Sequence, residues 1–283
     1  MLILGAHMSI AGGFAQAALK TGQEFACNAM QIFTKSPRSR MVKAIDPVDA
    51  KQFREYCRKY KIQHVVAHSS YLLNFGKKNS QIPWAISDIM LDFERLHALG
   101  GHGVVVHIGK SLEGERKTAI TNVIENAKII IEKTRHIGLE YILENTAGQG
   151  SEIGFQLEEL GEIWKALKPF SPRIRSCLDT AHIWAAGYDI STSQGVKNTL
   201  KVYDELIGLD TLSCFHFNDS KKTLASRVDR HDNIGSGTIA LEGLQAIAEF
   251  AKRKSIPLIL ETPEKDGKTH LDDILTVRGM LKE

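Results

Sequence analysis

Apolar residues along this chain follow two alternating rhythms. Short, nearly unbroken apolar runs occur at 2–7 (LILGAH), 29–33 (AMQIF), 64–68 (HVVAH), 103–107 (GVVVH), 141–144 (YILE), 175–179 (RSCLD), 212–217 (LSCFHF) and 257–261 (PLILE). Between them, apolar positions recur every three or four residues, over 46–61, 85–100, 115–138, 155–167, 196–208, 240–254 and 270–281. The first rhythm is that of strands buried on both faces, and the second that of helices with one buried face. Gly100, Gly138 and Gly208 follow three of the helical stretches, where a left-handed C-cap is expected.

Strand and helix patterns that alternate in this way predict parallel strands joined by crossovers. Eight such units over 283 residues predict an α/β chain built as a single (β/α)8 barrel, with 1–283 one catalytic domain. The rival, a doubly wound open sheet, usually carries a Gly-rich nucleotide fingerprint, and the chain has none.

Composition is that of a globular chain, 43% hydrophobic and 24% charged, so a large core is available. The four cysteines, Cys27, Cys57, Cys177 and Cys214, lie far apart and form no CxxC pair. They read as reduced core residues of an intracellular, cytoplasmic protein. Cys177 and Cys214 are expected inside the barrel, one layer below the residues two positions on. No apolar stretch reaches the ~18 residues of a membrane span, so no membrane partner is expected.

The residues that close the strands change the picture most. Seven of the eight runs finish at, or one residue past, an imidazole or carboxylate: His7, His68, His107, Glu144, Asp179, His216 and Glu261. In a barrel these ends share one face and converge on its axis, where chemistry sits. Alone, each reads more simply as a hydrogen-bonded histidine or a helix cap. Together they would leave carboxylates and imidazoles unpaired at great desolvation cost, so cations are expected among them. His182, three residues after Asp179, and the Asp229-x-His231 pair in 226–237 can reach the same cavity. Five histidines (His68, His107, His182, His216, His231) and four carboxylates (Glu144, Asp179, Asp229, Glu261) suit two or three ions. Mixed nitrogen and oxygen donors favour zinc, with manganese or iron as competitors. His64, His97, His102, His136 and His270 are given no role.

Multi-metal sites of this kind commonly act on phosphate esters. The net charge is only +3, but 34–43 holds Lys35, Arg38, Arg40 and Lys43 with no acid, and 220–230 holds Lys221, Lys222, Arg227 and Arg230. A basic rim over a metal pit fits nucleic acid.

Several stretches then match a known family. "GAHMSIAGG", "FTK", "SSYLLNFG", "LENTAGQGSEIGF", "LDTAHIWAAGYD", "FHFNDSK", "SRVDRHDNIGSG" and "LILET" are collinear over residues 4–262. In these the chain resembles the endonuclease IV family, AP endonuclease family 2. The resemblance implies a TIM barrel with three zinc ions, with manganese or iron possible at one position. It implies a monomer that cuts duplex DNA on the 5′ side of abasic sites, leaving a 3′-hydroxyl and a 5′-deoxyribose phosphate, and that also trims blocked 3′ ends.

Carried onto this chain, the resemblance puts His68, His107 and Glu144 on one ion. It puts Glu144 again, with Asp179, His216 and Glu261, on a second, and His182, Asp229 and His231 on a third. Glu261 and Glu144 become the catalytic carboxylates, with Glu261 activating the nucleophile, and His7 an outer group that orients a ligand. Arg38, Tyr71 and Leu72 stand where the family inserts side chains into bent DNA, with Lys35 and Arg230 as further DNA contacts. Ser69, Ile108 and Ala181 depart from the residues usual in the family, and Pro37 stiffens the Arg38 loop. A sugar isomerase on a similar barrel and a non-cutting damage-binding protein are the competing readings.

Overall fold

The computed structural model describes residues 1–37, 42–112, 115–265 and 267–282. Eight parallel strands close into a barrel: β1 (Leu4–Met8), β2 (Ala29–Ile32), β3 (His64–His68), β4 (Gly103–His107), β5 (Glu140–Glu144), β6 (Ile174–Asp179), β7 (Leu212–His216) and β10 (Leu258–Leu260). β1 pairs with both β2 and β10, which completes the ring. A two-residue antiparallel ladder, β8 (Asp219–Ser220) with β9 (His231–Asp232), sits in the loop after β7. The helices are α1 (Phe14–Leu19), α2 (Pro47–Lys59), α3 (Pro83–Leu99), α4 (Arg116–Lys133), α5 (Leu157–Leu167), α6 (Thr180–Ala186), α7 (Ser193–Leu206), α8 (Leu241–Lys254) and α9 (His270–Met280).

All eight expected strands form, and the differences have local causes. α6 follows β6 directly and carries no visible helical period, because Thr180 to Ala185 are all buried and no exposed polar face alternates with an apolar one. Its start is set by Asp179, whose Oδ1 accepts the His182 N–H at 2.8 Å, and its end by Gly187 at φ +105°. Gly100 caps α3 with φ +76°, as expected, whereas Gly138 and Gly208 lie beyond the residues that cap α4 and α7. Gly5 is required for barrel closure, since a Cβ there would lie 1.9 Å from the Ala29 carbonyl oxygen on β2.

Inside the barrel lies an apolar layer of Ala29, Val66, Val105, Ile142, Cys177, Cys214 and Ile259. Cys177 and Cys214 are register partners on β6 and β7, so both expected positions are met. Successive side chains alternate across a strand, so residues two further on face inward one layer nearer the C-terminal rim. Those residues are Gln31, His68, His107, Glu144, Asp179, His216 and Glu261. The apolar layer thus forms the floor of a polar pit.

Candidate metal centre

Glu144 stands at the centre of this pit and is almost fully buried. Its Oε1 lies 2.6 Å from His216 Nδ1 and 3.7 Å from His182 Nδ1; its Oε2 lies 3.1 Å from His68 Nε2 and 3.8 Å from His107 Nε2. Glu261 reaches the same ring, with Oε2 3.2 Å from His216 Nδ1. Asp179 Oδ2 lies 3.9 Å from His216 Nδ1 and 3.6 Å from His231 Nε2. Asp229 closes the far side, 3.4 Å from His182 Nε2 and 3.3 Å from His231 Nε2. The β8–β9 ladder holds that last pair in place through its Ser220–His231 register. All nine residues singled out from strand ends and loops therefore meet in one cavity.

Four of the five imidazoles are aimed by a hydrogen bond on their outer nitrogen. His68 Nδ1 donates to the Ser69 carbonyl at 2.6 Å, His182 Nδ1 to the Asn145 carbonyl at 2.9 Å, and His231 Nδ1 to the Glu261 carbonyl at 3.3 Å. His216 Nε2 donates to the side-chain oxygen of Gln31 at 2.8 Å. Each bond assigns the proton to the outer nitrogen and turns the other lone pair into the pit, the arrangement that metal-binding histidines adopt. The inward Nε2 atoms of His182 and His231 are buried without a hydrogen-bond partner among the described residues. Orphaned buried acceptors of this kind are costly unless something fills the cavity.

Electrostatics point the same way. Burial pushes the Glu144 carboxyl up, but the charge of His216, with His68 and His107 beside it, holds it well below the ordinary carboxylate range. Glu261 is likewise raised by burial yet held well below that range, chiefly by the charge of His216. Burial disfavours charge on His216, yet Glu261 and Glu144 raise it to about 10, and Asp179 and Asp229 raise His182 well above normal against the same burial. The carboxylates thus draw positive charge into a site where burial opposes it. Four groups each bring three or four such side chains within 4.8 Å of one another: His68, His216 and Glu261; His107, Glu144 and His182; Asp179, His182 and His231; and Glu144, Asp179, His216 and Glu261. Mixed imidazole and carboxylate donors at these spacings fit divalent metal.

The remaining sequence candidates divide. His7 is half-buried, with Nδ1 3.6 Å from Glu261 Oε1. Tyr71 and Leu72, 51% and 55% exposed, lie on the loop after β3, and Arg230 is exposed on the loop after β7. Arg38 lies outside the described residues. Lys35 is a correction: expected at the DNA surface, it is buried, its Nζ 2.5 Å from Asp92 Oδ1 and 3.2 Å from Asp88 Oδ2 on α3. A run of basic residues cannot reveal that two acids some fifty positions on will claim one of them.

Three residues that position the site have no counterpart in the sequence reading. Asn145 Oδ1 accepts the Asp179 N–H at 2.7 Å, and Asn218 donates to Asp179 Oδ2 at 2.7 Å while accepting the Glu261 N–H at 2.8 Å. Gln31 is the third. Asn145 and Asn218 each lie within two residues of a strand-end ligand, the one signal that could have marked them.

A family model described as a xylose isomerase-like TIM barrel matches residues 17–282. A probable endonuclease 4 of Chlorobium phaeobacteroides is 38% identical over 270 residues, covering 94% of both chains. Another, of Geobacter sulfurreducens, is 37% identical over 281 residues, covering 99% of this chain and 94% of that one. The crystal structure of endonuclease IV from Thermus thermophilus superposes with a TM-score of 0.84 at 32% identity, covering 99% of this chain and 98% of that one. With its metal-capable pit at the barrel's C-terminal mouth, the chain belongs to the endonuclease IV family and is a DNA-cleaving hydrolase.

Proposed function

We propose that this protein is a zinc-dependent endonuclease of base excision repair. It cuts the phosphodiester bond 5′ to abasic sites in duplex DNA, leaves a 3′-hydroxyl and a 5′-deoxyribose phosphate, and removes groups that block 3′ ends. The observation that carries this reading is the nine-residue pit, whose imidazole lone pairs and carboxylates converge where burial tolerates them only around cations.

Three zinc ions, with manganese or iron at one position, would be held by His68, His107 and Glu144; by Glu144, Asp179, His216 and Glu261; and by His182, Asp229 and His231. Bound there, they would supply charge stabilisation to a phosphoryl group undergoing in-line displacement. Glu261 orients the attacking water, and its carboxylate character, held by His216, suits it to that task. Glu144, in contact with four imidazoles, keeps the ligand sets in one unit. His7 steadies Glu261 from outside.

Tyr71 and Leu72 wedge into the duplex, where unstacking costs least because a base is already missing. Arg230, exposed beside Asp229, contacts the backbone phosphates. The protein acts as a monomer, one catalytic domain over 1–283; β1 pairing with β10 joins the two ends of the chain into that unit.

The decisive experiment is a nicking assay on an abasic duplex with end-group analysis, together with metal analysis of the same sample. Cleavage that leaves a 3′-hydroxyl, with about three zinc per chain, is expected. Tight binding without cleavage, or turnover of ketoses without nicking, would overturn the reading.

A further inference from the structure

β2 contributes no ligand to the pit, and by sequence its end is Phe33, the one strand end that is neither imidazole nor carboxylate. Yet β2 does place a side chain in the polar layer: Gln31, fully buried, two residues past Ala29 of the apolar floor. A buried primary amide is costly unless its donors and acceptor are used, and here they are. Its nitrogen donates to Glu261 Oε1 at 2.6 Å and lies 3.0 Å from His7 Nδ1; its oxygen accepts from His216 Nε2 at 2.8 Å.

These bonds settle one another. His216 turns Nδ1 toward Glu144 and Glu261, so Nε2 is its outer nitrogen. If Nε2 carries the proton, the atom facing it must be the amide oxygen, and both amide protons then point to Glu261 Oε1 and His7 Nδ1. Flipping the amide would set N–H against N–H and oxygen against carboxylate. The other three aimed imidazoles use backbone carbonyls for this purpose, and a substitution at the acceptor residue leaves its carbonyl in place. His216 alone depends on a side chain, and so is the one that mutation can release.

We infer that Gln31 is a positioning residue for the metal site formed by Glu144, Asp179, His216 and Glu261, selecting which atom of two ligands faces the ion. By accepting from Nε2 it reserves His216 Nδ1 for the ion, and by donating to Oε1 it reserves Glu261 Oε2. It touches neither the ion nor DNA. Outer hydrogen bonds of this kind are worth about 10- to 100-fold in metal affinity. The inference rests on the metal-site reading above, but not on the choice of DNA substrate.

The test uses the zinc-loaded protein with Gln31→Met, which keeps the side chain's length and removes all three contacts, and Gln31→Glu, which keeps an acceptor for His216 but sets oxygen against Glu261. Zinc affinity is read by competition with a chromophoric chelator, and the His216 tautomer by long-range proton–nitrogen correlation. In Gln31→Met, one ion per chain should loosen by about 10- to 100-fold with the others unchanged, and His216 should lose its fixed Nε2–H signature. In Gln31→Glu, that signature should persist while the same ion loosens. Unchanged affinity for every ion, with His216 in its original tautomer in Gln31→Met, would overturn the inference. Neither readout involves cleavage. Failure of the unsubstituted protein to nick abasic DNA, with these shifts seen in the variants, would sink the proposed function alone, and its normal nicking without them would sink this inference alone.

Discussion

Replacing Lys35 by methionine separates two accounts of the segment before Arg38. On the sequence reading, Lys35 meets phosphate; in the structure it is buried and clamps the loop to α3. Its Nζ pairs with Asp92 at 2.5 Å and Asp88 at 3.2 Å and also donates to the Asp88 carbonyl at 3.1 Å. Arg95, one turn further along α3, donates to the carbonyls of Thr34 at 2.8 Å and Lys43 at 2.9 Å, so the helix grips both ends of the loop. Lys35→Met leaves Asp92, 1% exposed, without its cation. Breaking a buried pair from one side costs about 3–5 kcal/mol, or roughly 6–10 °C in melting temperature at about 2 °C per kcal/mol for a chain of this size. Burial already raises the Asp92 carboxyl, with Lys35 opposing it. Without Lys35, its folded pKa rises further above the unfolded value, so the variant loses stability as pH rises through that pKa. The deficit should therefore be larger at pH 8 than at pH 5. Thermal unfolding at the two pH values measures it, and the salt dependence of DNA binding provides the contrast. If Lys35 is structural, the slope of log K against log salt stays at the wild-type value. If it touches phosphate, the slope falls by about 0.9. Wild-type stability together with a reduced slope would refute the burial argument.

Glu261→Gln should keep binding to an abasic duplex but lose cleavage by at least about 100-fold, as followed by gel shift and nicking; near-normal cleavage would remove it from the mechanism. The metal-free protein should show a stability optimum in a pH titration. His216 and His182 have raised folded pKa values, so their contribution is full below the unfolded value near 6.5 and fades for His216 toward about 10. Glu144 and Glu261 have lowered ones, so theirs is full above about 4.5 and fades as pH falls. Metal-free melting temperatures should thus peak between those two values, and a continued rise toward pH 9 would contradict the assignment. Leu72→Ala and Tyr71→Ala should leave stability within about 0.5 kcal/mol, since both are exposed surface positions, while weakening the preference for abasic over intact duplex; an unchanged preference would exclude a wedge.

Much of the candidate site was legible because a barrel makes it so. Once eight strands are recognised, their final residues must converge, and a ring of histidines and carboxylates at those ends is improbable as mere packing. The inward placement of Cys177 and Cys214 followed from strand alternation alone, two residues short of Asp179 and His216. Gln31, Asn145 and Asn218 were not legible. An amide carries no charge that demands a partner, and its meaning appears only when barrel closure sets β2 and β7 side chains face to face across the pit. Helix α6 was hidden because burial on every side erases the period by which helices are read.

The sequence by itself thus determined the periodicities, the strand number and the inventory of ionisable side chains at strand ends, because these are local properties of spacing and residue type. Only the tertiary structure decided which atom of each side chain faces the cavity and which charges find partners elsewhere. Glu144 became the centre of the site because β5 lies among the strands that carry its imidazoles. Lys35 left the basic rim because α3 presents Asp88 and Asp92 to it. Both outcomes depend on distances across the fold, and no spacing along the chain encodes them.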